Sequence, residues 1–277
     1  MNEEEFKKVV RKGFDEASAG YDNPALRFFD NSARHMVQGL TLNGDEHVLD
    51  AATGTGKVAI AAAKRLPNGR VMGFDLSDGM LNRAREKAAV ERLKNIMFHC
   101  ADVHAAHFPA DTFDGLTCGF GVFFWTDMAA TLQQLVRTVK PGGFIAMTSF
   151  ADGSFKPQSD LCLERFKQYG VKLPETYSWQ RLDNHAKHAE LLTTVGLKNI
   201  ESHTEPMGYY LKDALQWWDL VYYTGFRGFL NQLSVEQAER YKAEHLAEIA
   251  KTADGQGIYL NVDVIFTTAC KKMDENP

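Results

Sequence analysis

Between residues 46 and 150 the chain alternates between short apolar runs and helical periodicity, and this alternation constrains the fold more than any other feature. Apolar runs at 47–51, 70–75, 96–100, 113–118 and 144–150 predict strands. Between them, 57–65, 77–90 and 128–139 carry apolar side chains at helical spacing. Turn signals separate the runs: Pro67-Asn68-Gly69, Ser77 as a helix N-cap, and Pro141-Gly142-Gly143 before the last strand. Strands that alternate with helices make right-handed crossover units and a parallel sheet covered on both faces. Such a sheet has a topological switch point, and ligands bind there at the strand carboxyl ends.

The flanks are less regular. Residues 1–40 read as two helices split by the turn-rich Tyr21-Asp22-Asn23-Pro24. After 150, residues 180–195 predict a helix ended by Gly196, and 199–211 an extended segment. Two more helices are predicted at 212–230 and 234–251, the second opened by a Ser234-Val-Glu-Gln237 capping box. A strand at 257–269 closes the chain. The late helices thus interrupt two late strands. The expected organisation is a helical cap at 1–45 and one α/β domain at 46–277, with a helical lid insertion at 212–251.

Composition excludes several classes. The 277 residues carry a net charge of −5, and the pI is about 6.0. Nucleic-acid binders usually show a basic patch and a domain pI above about 9, so none is expected here. The longest apolar stretch, 120–125, is far short of the ~20 residues of a transmembrane helix. The start, Met-Asn-Glu-Glu-Glu-Phe-Lys-Lys, has no apolar leader core, and its acidic opening is unlike a transit peptide, so a cytoplasmic location is expected. The cysteines (Cys100, Cys118, Cys162 and Cys270) are scattered, and His104 and His107 have no third ligand nearby in sequence; no metal is expected. Oligomeric state is not legible.

The segment Asp50-Ala51-Ala52-Thr53-Gly54-Thr55-Gly56-Lys57 leaves a strand and enters a helix. Glycines there permit tight turns and close approach of a ligand to a helix N-terminus. A nucleoside triphosphate loop requires G-x-x-x-x-G-K-[ST]; Ala51 and Val58 break that pattern at both ends. A dinucleotide fits better, because Gly54-Thr55-Gly56-Lys57-Val58-Ala59 matches G-x-G-x-x-[GA] and Asp75 follows Gly56 by 19 residues. The third candidate is S-adenosylmethionine.

For that third ligand, Asp50, Ala52-Thr53-Gly54-Thr55-Gly56, Asp75, Asp102 and Pro141-Gly142-Gly143 occur in an order that resembles the class I S-adenosylmethionine-dependent methyltransferases. Phe108-Pro-Ala-Asp-Thr-Phe113-Asp114, Gly119-Phe120-Gly121-Val122 with Asp127, and Tyr21-Asp22 are similar to the ubiquinone/menaquinone-biosynthesis (UbiE-like) branch. The resemblance covers roughly 14–150. It implies a Rossmann-like doubly wound sheet of about seven strands with the last strand antiparallel. It also implies that Asp75 takes the ribose hydroxyls, flanked by Leu76 and Met80. Asp102, with Ala101 and Val103, would lie beside the adenine. Asp50 would face the methionine ammonium across the turn formed by Ala52, Gly54, Thr55 and Gly56. Gly119 and Phe120 would meet the methionine part, with Tyr21 covering the sulfonium side. Asp75 as a mere helix cap, Asp102 as a turn residue and Tyr21 as a packing residue are the alternatives. Two departures stand out: Ala52 replaces the first motif glycine, and the helices at 212–251 are absent from the quinone enzymes.

Acceptor recognition is expected from the aromatic insertion. Trp218, Tyr222 and Phe226 are spaced i, i+4, i+8 and share a face of one helix, as a lid or as a core stripe. Trp125 and Arg227 are further candidates. Methyl transfer needs a base only for a protonated nucleophile. His104, His107, His203 and Tyr210 are the weak candidates for one. The resulting expectation is transfer of the sulfonium methyl to an O, C, N or S nucleophile of a small apolar or aromatic metabolite. An NAD(P)-dependent oxidoreductase and a non-catalytic S-adenosylmethionine-binding protein are the alternatives; the former lacks a Tyr-x-x-x-Lys pair near the fifth strand.

Overall fold

The computed structural model describes residues 3–104, 106 and 108–273. Its strands are β1 (His47–Ala51), β2 (Arg70–Asp75), β3 (Ile96–Cys100), β4 (Phe113–Gly119), β5 (Val139–Phe150), β6 (Lys198–Pro206), β7 (Tyr209–Leu211), β8 (Ile258–Leu260) and β9 (Asp263–Cys270). Its α-helices are α1 (Glu3–Ala17), α2 (Arg27–Gly39), α3 (Lys57–Arg65), α4 (Asp78–Val90), α5 (Met128–Val136), α6 (Gln158–Gln168), α7 (His185–Thr194), α8 (Ala214–Tyr223), α9 (Arg227–Leu230) and α10 (Val235–Ile249).

Seven strands form one sheet in the order β3-β2-β1-β4-β5-β9-β6, and β7 pairs with β8 in a separate ribbon. The pairs among β1 to β5 are parallel, whereas β9 runs antiparallel to both β5 and β6. The doubly wound sheet with an antiparallel last strand is therefore as expected. Chain order reverses at β1, with β2 on one side and β4 on the other, which places the switch point beside the glycine turn. The central strands are apolar because helices cover both faces: Leu49, Phe74, Phe113 and Leu116 are all buried. No helix among the described residues is long and apolar enough to cross a membrane.

Local signals place the helix ends. Ser77 Oγ accepts from the Met80 N–H and starts α4, and Ser234 with Gln237 forms the capping box of α10. Several expectations need correction, among them the helix at 128–139 and the strand from 144: α5 ends at Val136 and β5 begins at Val139, with Pro141-Gly142-Gly143 inside it. The segment 212–230 is not one helix, because Thr224 is extended (φ −126°, ψ −166°) and separates α8 from α9. The helix expected from 180 begins at His185, capped by Asn184, after a 3₁₀ turn at Ser178–Leu182. Helix α6 has no counterpart among the expectations; its buried residues include Gln158 and Ser159, which blur the apolar period.

Candidate active site

The glycine turn is held by backbone contacts that leave little freedom. Thr53 N–H donates to the Phe74 carbonyl at 3.0 Å, and Gly56 N–H to the Thr53 carbonyl at 2.8 Å. Gly54 and Gly56 adopt φ of +55° and +79°, the left-handed region that glycine enters without strain. Gly56 is also a packing point, since a Cβ there would lie 2.9 Å from the Ala84 Cβ. Ala52, which replaces the motif glycine, has φ +50°. Its methyl has room because residue 121 is glycine: a Cβ on Gly121 would approach the Ala52 Cβ to 2.6 Å. The departure from the motif is thus matched by a second small residue in space.

Carboxylates stand at the ends of the strands that flank this turn. Asp75, at the end of β2, accepts from the Gly54 N–H at 2.8 Å and from the Ser77 N–H at 2.9 Å. Burial pushes its carboxyl above the usual range, against the pull of those N–H groups. Asp50, in β1, accepts from the Thr53 hydroxyl at 2.5 Å and the Thr117 hydroxyl at 2.6 Å. Burial pushes it up to about 6 despite both bonds. Asp102, after β3, accepts from Lys7 of α1 at 2.8 Å and from the His104 N–H at 3.0 Å. Burial raises that carboxyl, but the Lys7 and His104 contacts outweigh it and hold Asp102 below the usual range.

A cleft of about 870 Å³, its open mouth included, runs along these strand ends. Tyr21, Ala52, Gly54, Asp75, Leu76 and Met80 line it, and so do Ala101, Asp102, Val103, Gly119 and Phe120. Helix α1 supplies the far wall through Phe6, Lys7, Val10 and Phe14. The helix is pinned there by Asp15, which accepts from the Ser77 hydroxyl at 2.6 Å and the Gly79 N–H at 3.1 Å. Asp50 and Thr55 line an adjoining recess instead, and Gly56 faces neither space. Thr148 Oγ1 also faces the recess, and it is buried with no hydrogen-bond partner among the described residues. An unpaired buried hydroxyl and a buried carboxylate lining one recess fit a polar ligand that enters it. The Thr55 hydroxyl donates to Asp22 at 2.8 Å, and Lys57 pairs with the same carboxylate at 2.6 Å, so Asp22 ties the turn to the N-terminal segment.

Beyond Tyr21 and Phe120 lies a second, larger cavity of about 1300 Å³, its mouth included. Its walls are aromatic: Phe28 and Phe29 from α2, Phe120 and Phe124 after β4, Phe150 and Phe155 around the end of β5, and Trp179 and Phe226 beyond. Phe120 stacks on Phe150 at 4.5 Å, and Tyr21 stacks on Phe29 at 5.0 Å. Tyr21 and Phe120 line both cavities and the recess, as the point where the three meet. Among the described lining residues of the aromatic cavity, the ionisable side chains are Tyr21, Tyr177 and Arg181. Burial raises both phenols above their usual range. Arg181 donates to the carbonyls of Phe123, Trp125 and Thr126 at 3.1, 2.6 and 3.0 Å, which clamps the loop after β4.

Several expected acceptor residues lie elsewhere. Trp125 lines the first cavity, not the aromatic one. Trp218 is buried against Tyr241, at 6.2 Å between rings, and Tyr222 carries the Arg227 guanidinium 3.8 Å above its ring. Arg227 itself pairs with Glu16 at 3.6 Å. Only Phe226 of the proposed stripe reaches the aromatic cavity, because the break at Thr224 takes it off the α8 face. Of the candidate bases, His104 lines the first cavity. His203 sits in edge strand β6, and the Tyr210 hydroxyl donates to Asp254 at 3.2 Å; neither lines a cavity described above. His107 lies outside the described residues. The aromatic residues from α2 and the β5 end, and Trp179, escaped sequence reading because they belong to no motif and come together only in the fold.

Known proteins bear on this arrangement. Residues 48–143 match a family model described as a methyltransferase domain. The chain is 33% identical over 158 residues to aklanonic acid methyltransferase DauC of Streptomyces sp. (strain C5), covering 56% of this chain and 72% of that one. It is 33% identical over 142 residues to the ubiquinone/menaquinone biosynthesis C-methyltransferase UbiE of Marinomonas sp. (strain MWYL1), covering 50% of this chain and about half, 55%, of that one. The fold also superposes on the crystal structure of the YcgJ protein from Bacillus subtilis, with a TM-score of 0.60 at 17% identity over 87% of this chain and 98% of that one. The chain belongs to the class I S-adenosylmethionine-dependent methyltransferases, is similar to their UbiE-like members, and methylates a small molecule.

Proposed function

We propose that the chain binds S-adenosylmethionine along the carboxylate-lined cleft and methylates a planar aromatic acceptor held in the adjoining aromatic cavity. One observation carries this reading: the carboxylate-lined cleft and the aromatic cavity meet at Tyr21 and Phe120. When bound, S-adenosylmethionine supplies the electrophilic methyl and its leaving group. Asp102 faces the adenine, Asp75 the ribose hydroxyls, and Asp50 with Thr148 the methionine end. Strands lie about 4.8 Å apart, so polar groups on β3, β2 and β1 suit an elongated ligand with separate polar parts. The cap at 1–45 closes the cleft through α1, and α8, α9 and the corner between them close part of the acceptor side through Leu220, Phe229 and Phe226. Free thiols at all four cysteines fit a cytoplasmic protein.

The aromatic walls orient a flat acceptor by stacking and exclude water from the reacting atoms. Raised phenols and a committed Arg181 are poor proton acceptors, so the acceptor arrives with its nucleophile already ionised or bearing a free lone pair. Aromatic carboxylates and acidic phenols meet this condition. The test is a turnover screen with S-adenosylmethionine and a panel of such acceptors, with S-adenosylhomocysteine release as readout. The expected result is turnover of aromatic acceptors whose log kcat/KM rises with pH up to the acceptor's own pKa. Turnover confined to aliphatic amines, or one break at the same pH for every acceptor, would contradict it.

A further inference from the structure

We propose that His35, His203 and Glu205 form a binding site for a divalent transition metal of the zinc class, at the β6 edge of the sheet. One ligand atom from each of the three side chains lies within 4.8 Å of those of the other two. His203 Nε2 is 3.9 Å from Glu205 Oε1. The strand makes this pairing: side chains two apart in β6 project from the same face, so His203 and Glu205 stand side by side. His35, on α2, packs over that face.

The neighbouring residues sort the histidines by side. Ser202 and Thr204 project from the opposite face of β6, and their hydroxyls engage the two nitrogens of His185 at 2.7 and 3.0 Å. That third histidine is therefore already satisfied and stays out of the cluster. His35 and His203 instead rest on the Phe266 ring, at 4.6 and 5.6 Å between centroids, with His203 stacked at 16°. An apolar ring behind two imidazoles limits their rotation and leaves their nitrogens as the reactive edge.

Two imidazoles and one carboxylate are a well-attested zinc donor set, and a water completes the tetrahedron. Bonds of about 2.0–2.1 Å put ligand atoms about 3.3 Å apart, so a bound ion draws the three ligand atoms inward from separations of up to 4.8 Å. The ion would join α2 to β6, two elements remote in sequence. Because α2 also carries Phe28 and Phe29 of the aromatic cavity, the site would brace one wall of that cavity from outside.

The experiment is a titration of the full, tag-free chain with zinc chloride against a chromophoric chelator at neutral pH. Cobalt(II) absorption then reads the coordination geometry. We expect one equivalent of zinc at micromolar affinity or better, a tetrahedral cobalt spectrum, and a melting temperature that rises with zinc. His203→Ala and Glu205→Gln should each weaken binding at least tenfold while keeping the wild-type circular dichroism; both residues are partly exposed on an edge strand, so folding is not at stake. His185→Ala, on the other face, should leave zinc affinity unchanged. Zinc bound equally by wild type and His203→Ala would overturn the site. So would affinity no tighter than millimolar, or an octahedral cobalt spectrum in the wild type.

Discussion

The two cavities that meet at Tyr21 and Phe120 are built by different means. The carboxylate-lined cleft is assembled mostly from turns that directly follow β1, β2, β3 and β4, with α1 laid across them. Its carboxylates accept backbone N–H groups, Gly54 and Ser77 on Asp75 and His104 on Asp102. The aromatic cavity draws on α2, the loop after β4, the end of β5, the 174–181 segment and the α8–α9 corner. Its walls are side chains with no shared spacing. The first construction fixes what is bound by backbone geometry, and the second by shape, so substitutions should affect them separately.

The largest effect is expected at Asp75. Asp75→Ala removes a half-buried carboxylate that also fixes Gly54, so affinity for S-adenosylmethionine should fall about a hundredfold or more in calorimetry. A loss below threefold would mean that Asp75 only caps α4. The next test separates the cavities within the late helices. Phe226→Ala should raise the acceptor KM about tenfold, by loss of a ring contact, and leave cofactor affinity nearly unchanged. Trp218→Ala should instead cost about 3–5 kcal/mol of stability in thermal or denaturant melts, as for a buried aromatic, with acceptor KM little altered in the folded fraction. The reverse pattern would put Trp218 on the acceptor.

A third effect is a pH dependence of cofactor affinity. Asp50 is raised to about 6 in the folded chain. Its share of the apo protein's stability is complete below about 3.8 and is lost as pH rises through about 6. The cationic methionine end favours the ionised form, so affinity should weaken as pH falls through 6, by about three- to tenfold between pH 7 and 5. Asp50→Asn should flatten that profile; an unchanged slope in the variant would assign it to another group. The smallest effect belongs to Lys7. It and Asp102 are both partly solvated, so the pair contributes less than about 1 kcal/mol. Lys7→Met should speed cofactor dissociation a few-fold in stopped-flow by loosening α1, with little change in melting temperature.

Legibility followed the same division. Asp50, Gly54, Asp75 and Asp102 stood out in the sequence through the resemblance to the methyltransferase motifs, and the fold brings Gly54, Asp75 and Asp102 to one cleft and Asp50 to the recess beside it. The compensation of Ala52 by Gly121 did not stand out, since the two meet only across the switch point. Phe28, Phe29, Phe150 and Trp179 were invisible as a set because each looks like core on its own element. Helical spacing joined Trp218, Tyr222 and Phe226 into one stripe, but the backbone is extended at Thr224, so Phe226 leaves the α8 face while Trp218 stays buried as core. His35 and His203 were similarly obscured, as a helix and an edge strand distant in sequence bring them together.

The most direct test of the division is parallel calorimetric titration of S-adenosylhomocysteine and NAD into wild type, Asp75→Ala and Phe226→Ala. The account predicts micromolar-range S-adenosylhomocysteine binding to wild type and Phe226→Ala, its loss in Asp75→Ala, and no NAD binding to any of them. Unchanged S-adenosylhomocysteine binding in Asp75→Ala, or its loss in Phe226→Ala, would contradict it.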